Sequence, residues 1–121
     1  MQKKIQNAGV VLMKSTELGD VVKFQAALFS GGSITAVNIK GENVIHRAAW
    51  YGRVNIFRSL LENDTNKAHI ENLLNAQDKA GCTPVHNAVI RSQYDMVDAL
   101  IDSGAELNTT DKLGTSNIIF F

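Results

Sequence analysis

The chain repeats itself, and that constrains its fold more than any other feature. Gly41, Asn43, Val44, Ile45, His46 and Ala48 recur at one fixed offset as Gly81, Thr83, Pro84, Val85, His86 and Ala88. Asp78, Gly81, Thr83 and Val85 recur at a second, shorter offset as Asp111, Gly114, Ser116 and Ile118. Leu12 and Gly19 stand that same shorter offset before Ile45 and Gly52, in a weaker copy with Ala8 in the first glycine slot and Gly9 one place late. A unit of this length is one supersecondary block. It cannot bury its apolar face alone, so successive copies must stack.

Within a unit the signals are helical. Thr83 can cap free N–H groups at a helix start, and Pro84 at the first helical position gives up an N–H that had no partner there. Counted from Gly19, Gly52 and Ser92, the positions at +2, +5, +8 and +9 are apolar: Val21, Phe24, Ala27, Leu28; Val54, Phe57, Leu60, Leu61; Tyr94, Val97, Leu100, Ile101. That spacing lays one apolar stripe on a helix in each unit. Each unit therefore reads as a short helix, a tight turn, a longer helix and a loop. Gly31-Gly32-Ser33-Ile34 and Gly104-Ala105-Glu106-Leu107 close the second helix at matching places. The longer offset is a normal unit with seven residues inserted between Asp64 and Leu74. The insertion, Thr65–Leu73, has helical spacing in "NKAHIENLL". It is expected to project from the loop side, either resuming the second helix or forming a short extra one, and to leave the stack undisturbed.

These residues resemble the ankyrin-repeat family, whose period is about 33 residues and whose signature is T-P-L-H-x-A. The likeness is strongest across 75–108, in "NAQDKAGCTPVHNAV" and "LIDSGAELN". The chain departs from the family at Asn43-Val44, where Thr-Pro is usual, and at Met13, where the histidine belongs. The resemblance implies an all-α solenoid of stacked helix-turn-helix units with hairpin-like loops. Its expected divisions are an N-terminal capping repeat at 5–34, a repeat with the insertion at 35–74, a full repeat at 75–107 and an incomplete one at 108–121.

Composition removes several function classes. Lys plus Arg equals Asp plus Glu at 12 each, so no excess of charge marks the chain for nucleic acid or an anionic membrane. Val10–Met13 is too short for a signal peptide, and nothing approaches a membrane span. A single cysteine excludes an intramolecular disulfide and points to a reducing compartment, so a cytoplasmic or nuclear location is expected, or the host cytosol for a pathogen effector.

The candidates for chemistry dissolve on inspection. One histidine per unit, His46 and His86, follows the repeat and not a site. In the resembled family it hydrogen-bonds neighbouring caps and backbone. His69 lacks Cys, Asp or Glu at metal-ligand spacing and reads as a solvated residue. Cys82 has no local base to activate it. No phosphate loop, Ser-His-Asp grouping or paired carboxylates are present in the sequence. The expectation is no enzyme activity, no cofactor and no metal.

What remains is surface. The resemblance implies a concave face for partner proteins, built from the hairpin tips and the exposed side of each first helix. Carried over by position, the loop residues are Ile39, Lys40 and Glu42; Lys79, Ala80 and Cys82; and Lys112, Leu113 and Thr115. The first-helix residues are Glu17 and Leu18, Trp50 and Tyr51, and Ile90 and Arg91. Trp50 and Tyr51 are the expected centre, because Trp, Tyr and Arg dominate interface hot spots. Ile39, Ile90 and Arg91 are expected around them, and Lys40, Glu42 and Lys79 at a charged edge. Leu100, Glu106 and Leu107 at −8, −2 and −1 mark Asn108 as a site of asparaginyl hydroxylation by likeness to modified ankyrin repeats, with Asn75 the poorer match. The expected function is a non-enzymatic module binding a partner protein, with no nucleic acid or membrane partner. The alternative is a targeting or substrate-recognition fragment of a larger enzyme or effector, suggested by the apolar ending Ile118–Phe121 inside an unfinished repeat.

Overall fold

The computed structural model describes residues 2–64 and 66–106, with side chains from Gly9 onward. Seven helices run in order: α1 (Gln2–Leu18), α2 (Val21–Phe29), α3 (Val44–Tyr51), α4 (Val54–Asn63), α5 (Lys67–Leu74), α6 (Pro84–Ile90) and α7 (Tyr94–Asp102). No strand forms among the described residues. The helices pair as α1/α2, α3/α4 and α6/α7, as the period requires. First helices contact one another, α1 on α3 and α3 on α6, while second helices contact α2 on α4 and α4 on α7. The short-then-long pattern holds in the second and third pairs. In the first pair α1 is the longer helix, at 17 residues against 9 for α2.

One apolar cluster runs the length of the stack. Phe24 and Ala27 of α2, Phe57 and Leu60 of α4, and Val97 and Leu100 of α7 are all buried in it, so the second-helix stripe is the core-facing side. In α1 the buried stripe is Leu12, Ser15 and Thr16. The two hydroxyls donate to the Leu12 carbonyl at 3.0 and 2.7 Å, which allows polar side chains to be buried without an orphaned donor.

Helix starts follow the capping residues. Asp20 accepts from Lys23 N, Asn43 from Ile45 N and His46 N, and Asn66 from His69 N. First helices in the first two pairs end at a glycine with positive φ, Gly19 at +73° and Gly52 at +69°. A side chain at either place meets the residue that follows the equivalent turn position in the next unit. A Cβ on Gly19 would sit 3.0 Å from Arg53 Cδ, and one on Gly52 would collide with the Gln93 side chain. Those neighbours have a purpose. Arg53 Nε donates to the Glu17 carbonyl at 3.0 Å and Gln93 Nε2 to the Trp50 carbonyl at 3.2 Å, so each unit caps the first helix of the one before it. Ser92 occupies the same turn in the third pair at φ +57°. An L-residue is strained there by roughly 1–2 kcal/mol. Ser92→Gly is expected to raise stability by about 0.5–1 kcal/mol once glycine's greater unfolded entropy is subtracted. Denaturant titration of the two forms measures it.

The insertion departs from expectation. It does form a separate helix, α5, but α5 does not project away from the stack. Ile70, Leu73 and Leu74 are buried and join the common cluster. Asn43 Nδ2, at the start of α3, donates to the Leu73 carbonyl at 3.1 Å in a buried bond. The added residues reach the core because their apolar positions fall three and four apart, on one helical face.

Candidate functional site

Between the helix pairs the chain makes two fingers of the same design. Asn38 Oδ1 accepts from Lys40 N and Glu42 N, both at 3.0 Å, and Asp78 Oδ1 accepts from Ala80 N and Cys82 N, both at 2.9 Å. An Asn or Asp side chain that imitates a backbone turn fixes each tip. The fingers are joined edge to edge, with Lys79 N donating to the Lys40 carbonyl at 2.9 Å.

Each histidine locks its finger to its first helix. Asn43 N donates to His46 Nδ1 at 3.2 Å, and Thr83 N donates to His86 Nδ1 at 3.1 Å. A backbone N–H can only donate, so Nδ1 is an acceptor and Nε2 carries the proton. His46 Nε2–H then donates to the Cys82 carbonyl at 2.8 Å, tying one unit to the next. Burial pushes the His46 imidazole below its ordinary value of 6.5, against the bond to Cys82 and the negative charges of Asp78 and Glu42. This is the structural role expected of the repeat histidines.

On this scaffold stand the expected surface residues. Ile39 is 88% exposed at the first finger tip, and Lys40, Lys79 and Ala80 are exposed beside it. On the first helices Leu18, Tyr51, Ile90 and Arg91 are exposed. Trp50 is only half-buried. The Arg91 guanidinium covers its ring at 5.1 Å, and Gln93 holds its carbonyl, so Trp50 is as much a support as a surface.

Glu42 is not on the exposed edge where its loop position put it. It is 5% exposed. Asn38 Nδ2 donates to its Oε1 at 3.0 Å and Arg47 Nη1 donates to the same oxygen at 3.2 Å. The finger turns inward at this residue because Asn38 clasps it. Arg47, missed in the sequence, is the hub: its Nε donates to Glu17 Oε2 at 3.2 Å, its Nη2 to Tyr51 Oη at 3.2 Å, and its guanidinium lies 5.0 Å from the Tyr51 ring. A charged residue one place past the signature histidine was its only signal. Cys82 is half-buried and contributes its carbonyl to His46. Asn108, Lys112, Leu113, Thr115 and Ile118–Phe121 lie outside the described residues.

A second feature was also missed. A groove of about 490 Å³ runs between α1 and the first finger, lined by Val10, Met13, Lys14, Glu17, Val37 and Asn38. Val10 is 68% exposed while Leu12, two residues on, is 1% exposed. Burying Leu12, Ser15 and Thr16 leaves Val10, Lys14 and Leu18, four residues apart, on the opposite stripe.

The outer side carries a cavity of about 430 Å³ between α2 and α4, lined by Leu28, Phe29, Ile34, Leu60, Asp64 and His69 among others. Its two titratable groups meet each other: His69 Nδ1 lies 2.6 Å from Asp64 Oδ2, so His69 is partnered and not simply solvated. Among the described residues no group of three or more His, Cys, Asp or Glu side chains could hold a metal ion, and no helix is long and apolar enough to cross a membrane.

Comparison with known proteins agrees with the architecture. The family model described as ankyrin repeats (3 copies) matches residues 12–111. The nuclear factor NF-kappa-B p105 subunit of Rattus norvegicus is 34% identical over 84 residues, 69% of this chain. The p105 subunit of Gallus gallus is 32% identical over 84 residues, again 69% of this chain. The chain spans 8% of the length of these curated relatives.

Proposed function

Because this chain belongs to the ankyrin-repeat family, we propose that it is a non-enzymatic protein-binding module. In this reading the helix pairs form a solenoid, and the fingers and first helices make one concave face for a partner protein. The supporting observation is a set of exposed apolar and aromatic side chains, Ile39, Tyr51 and Ile90, on elements held by histidine and backbone hydrogen bonds. A backbone already ordered before association loses little entropy on binding, which favours an interface built on it. Trp50 and Arg91 complete the patch as a stacked pair, and Lys40 and Lys79 form its rim. Binding of this kind requires no cofactor, nucleic acid or membrane, and it suits the cytoplasm or nucleus.

Tyr51 is the anchor to test. Tyr51→Ala is expected to weaken partner capture about 30-fold, the equivalent of roughly 2 kcal/mol for an aromatic hot spot. The unfolding midpoint should stay nearly unchanged, because the ring is exposed and its hydroxyl bond to Arg47 lies at the surface. Tyr94→Ala on the outer α7 is the control. Capture that survives Tyr51→Ala and fails with Tyr94→Ala would move the binding face to the outer helices.

A second reading rests on the 84-residue likeness to the p105 subunits. A stretch of repeats of this kind would compete with the matching segment of such a protein for the same partner. Use as the recognition portion of a larger enzyme or effector is a further form of the same binding function. Competition between this chain and the p105 segment for one captured partner distinguishes the first of these from independent binding.

A further inference from the structure

The chain as a whole is neutral, with 12 basic and 12 acidic residues, but its charges are not mixed evenly over the fold. The fingers and first helices (9–18, 36–53 and 76–91) carry Lys14, Lys40, Arg47, Arg53, Lys79 and Arg91 against only Glu17, Glu42 and Asp78. All three carboxylates are already engaged. Glu17 and Glu42 are held by Arg47, and Asp78 accepts the finger N–H groups of Ala80 and Cys82. Lys14, Lys40, Lys79 and Arg91 are exposed, and among the described residues none of them is ion-paired with a carboxylate. The exposed carboxylates collect on the other side. Asp95, Asp98 and Asp102 line α7, and Glu62 and Glu71 lie on α4 and α5.

Resting on the binding function above, we propose that the occupant of this face is an acidic peptide segment: a stretch of a partner protein with Asp or Glu on either side of an apolar residue. These cations accompany exposed apolar side chains: Ile39 precedes Lys40 on the finger that Lys79 joins, and Ile90 precedes Arg91, whose guanidinium lies over the Trp50 ring. Apolar contact supplies the anchor. The lysines supply attraction for carboxylates and repel basic competitors. Packed helices lie about 8–10 Å apart, so α1 and α6 are separated by roughly 20 Å, which an extended segment spans in about six residues. A nucleic-acid backbone fits less well, because the cations are few and are interrupted by apolar side chains, whereas duplex binding draws on a larger run of phosphate contacts.

Panning a random displayed peptide library on the immobilised protein tests this. The retained sequences are expected to be enriched in Asp plus Glu over Lys plus Arg by several-fold, with an apolar residue between the acids. Binding of a retained synthetic peptide should weaken as salt rises, and about tenfold in Lys40→Glu/Lys79→Glu, with the salt dependence flattened. Asp98→Lys on α7 should leave it unchanged. A retained pool that is neutral or basic but still lost in Tyr51→Ala overturns the acidic occupant while leaving the binding face standing. A pool indifferent to Tyr51→Ala, or none above background, overturns both. Short duplex DNA bound more tightly than the acidic peptides overturns the choice of a peptide. Concentration-dependent dimerisation abolished by Asp98→Lys assigns the face to the acidic α7 of a second copy, and overturns it as well.

Discussion

Deleting seven residues, 66–72, is expected to abolish the cooperative unfolding transition. The period alone suggests the opposite, since the segment is what exceeds a regular unit and a longer loop adds little closure entropy. Three contributions in the structure outweigh that saving. Ile70 is buried in the common cluster and is removed outright, and Leu73 loses the helix that orients it. Truncating one such side chain costs about 2–5 kcal/mol. The Leu73 carbonyl that accepts from Asn43 Nδ2 sits on α5, so its displacement leaves a buried donor unpaired at the cap of α3, at about 1–3 kcal/mol. The sum is comparable with the whole stability of a small domain, about 5–15 kcal/mol. Thermal and urea unfolding of the deletion, with Ile70→Ala as a milder companion, checks the result. A deletion variant that keeps a sharp transition and the parent midpoint would show that α5 is dispensable.

His46→Ala is the next largest effect. The ring is fully buried, and its two nitrogens satisfy Asn43 N in its own unit and the Cys82 carbonyl in the next. Alanine leaves both partners unsatisfied and a cavity between units, for a loss of about 3–4 kcal/mol. The same residue confers acid sensitivity. Burial holds the folded imidazole below its ordinary value of 6.5, so below that pH the unfolded chain takes up a proton that the folded state resists. The contribution is intact above 6.5 and is lost as pH falls towards the lower folded value. Between pH 7 and pH 5 the unfolding midpoint of the parent should fall more steeply than that of His46→Ala. Equal slopes in the two proteins would assign the acid sensitivity elsewhere.

Much of the molecule was legible in the order of residues. Gly41 and Gly81, His46 and His86, and the stripe Phe24, Phe57 and Val97 specified paired helices, because a period and a helical stripe are local properties that any stacked copy must satisfy. The helix start at Thr83-Pro84 was legible for the same reason, since a cap acts within three residues of itself. The exposure of Ile39, Lys40, Tyr51 and Ile90 followed from their register in the unit. Side-chain contacts decided the rest. The repeat places Glu42 on a finger, but Asn38 four positions before it and Arg47 five after it, in the same unit, draw it inward. The repeat makes Trp50 an outward residue, but Arg91 and Gln93 arrive from the following unit to cover and hold it. The insertion's spacing permits a helix, but only the folded structure shows its apolar face, Ile70, Leu73 and Leu74, meeting the core. Sequence determines what each unit can form, because those forces act within a few residues. Which side chains remain exposed is set in addition by side-chain contacts, several of them with neighbours 30 to 43 positions away, whose distances only the stacked structure defines.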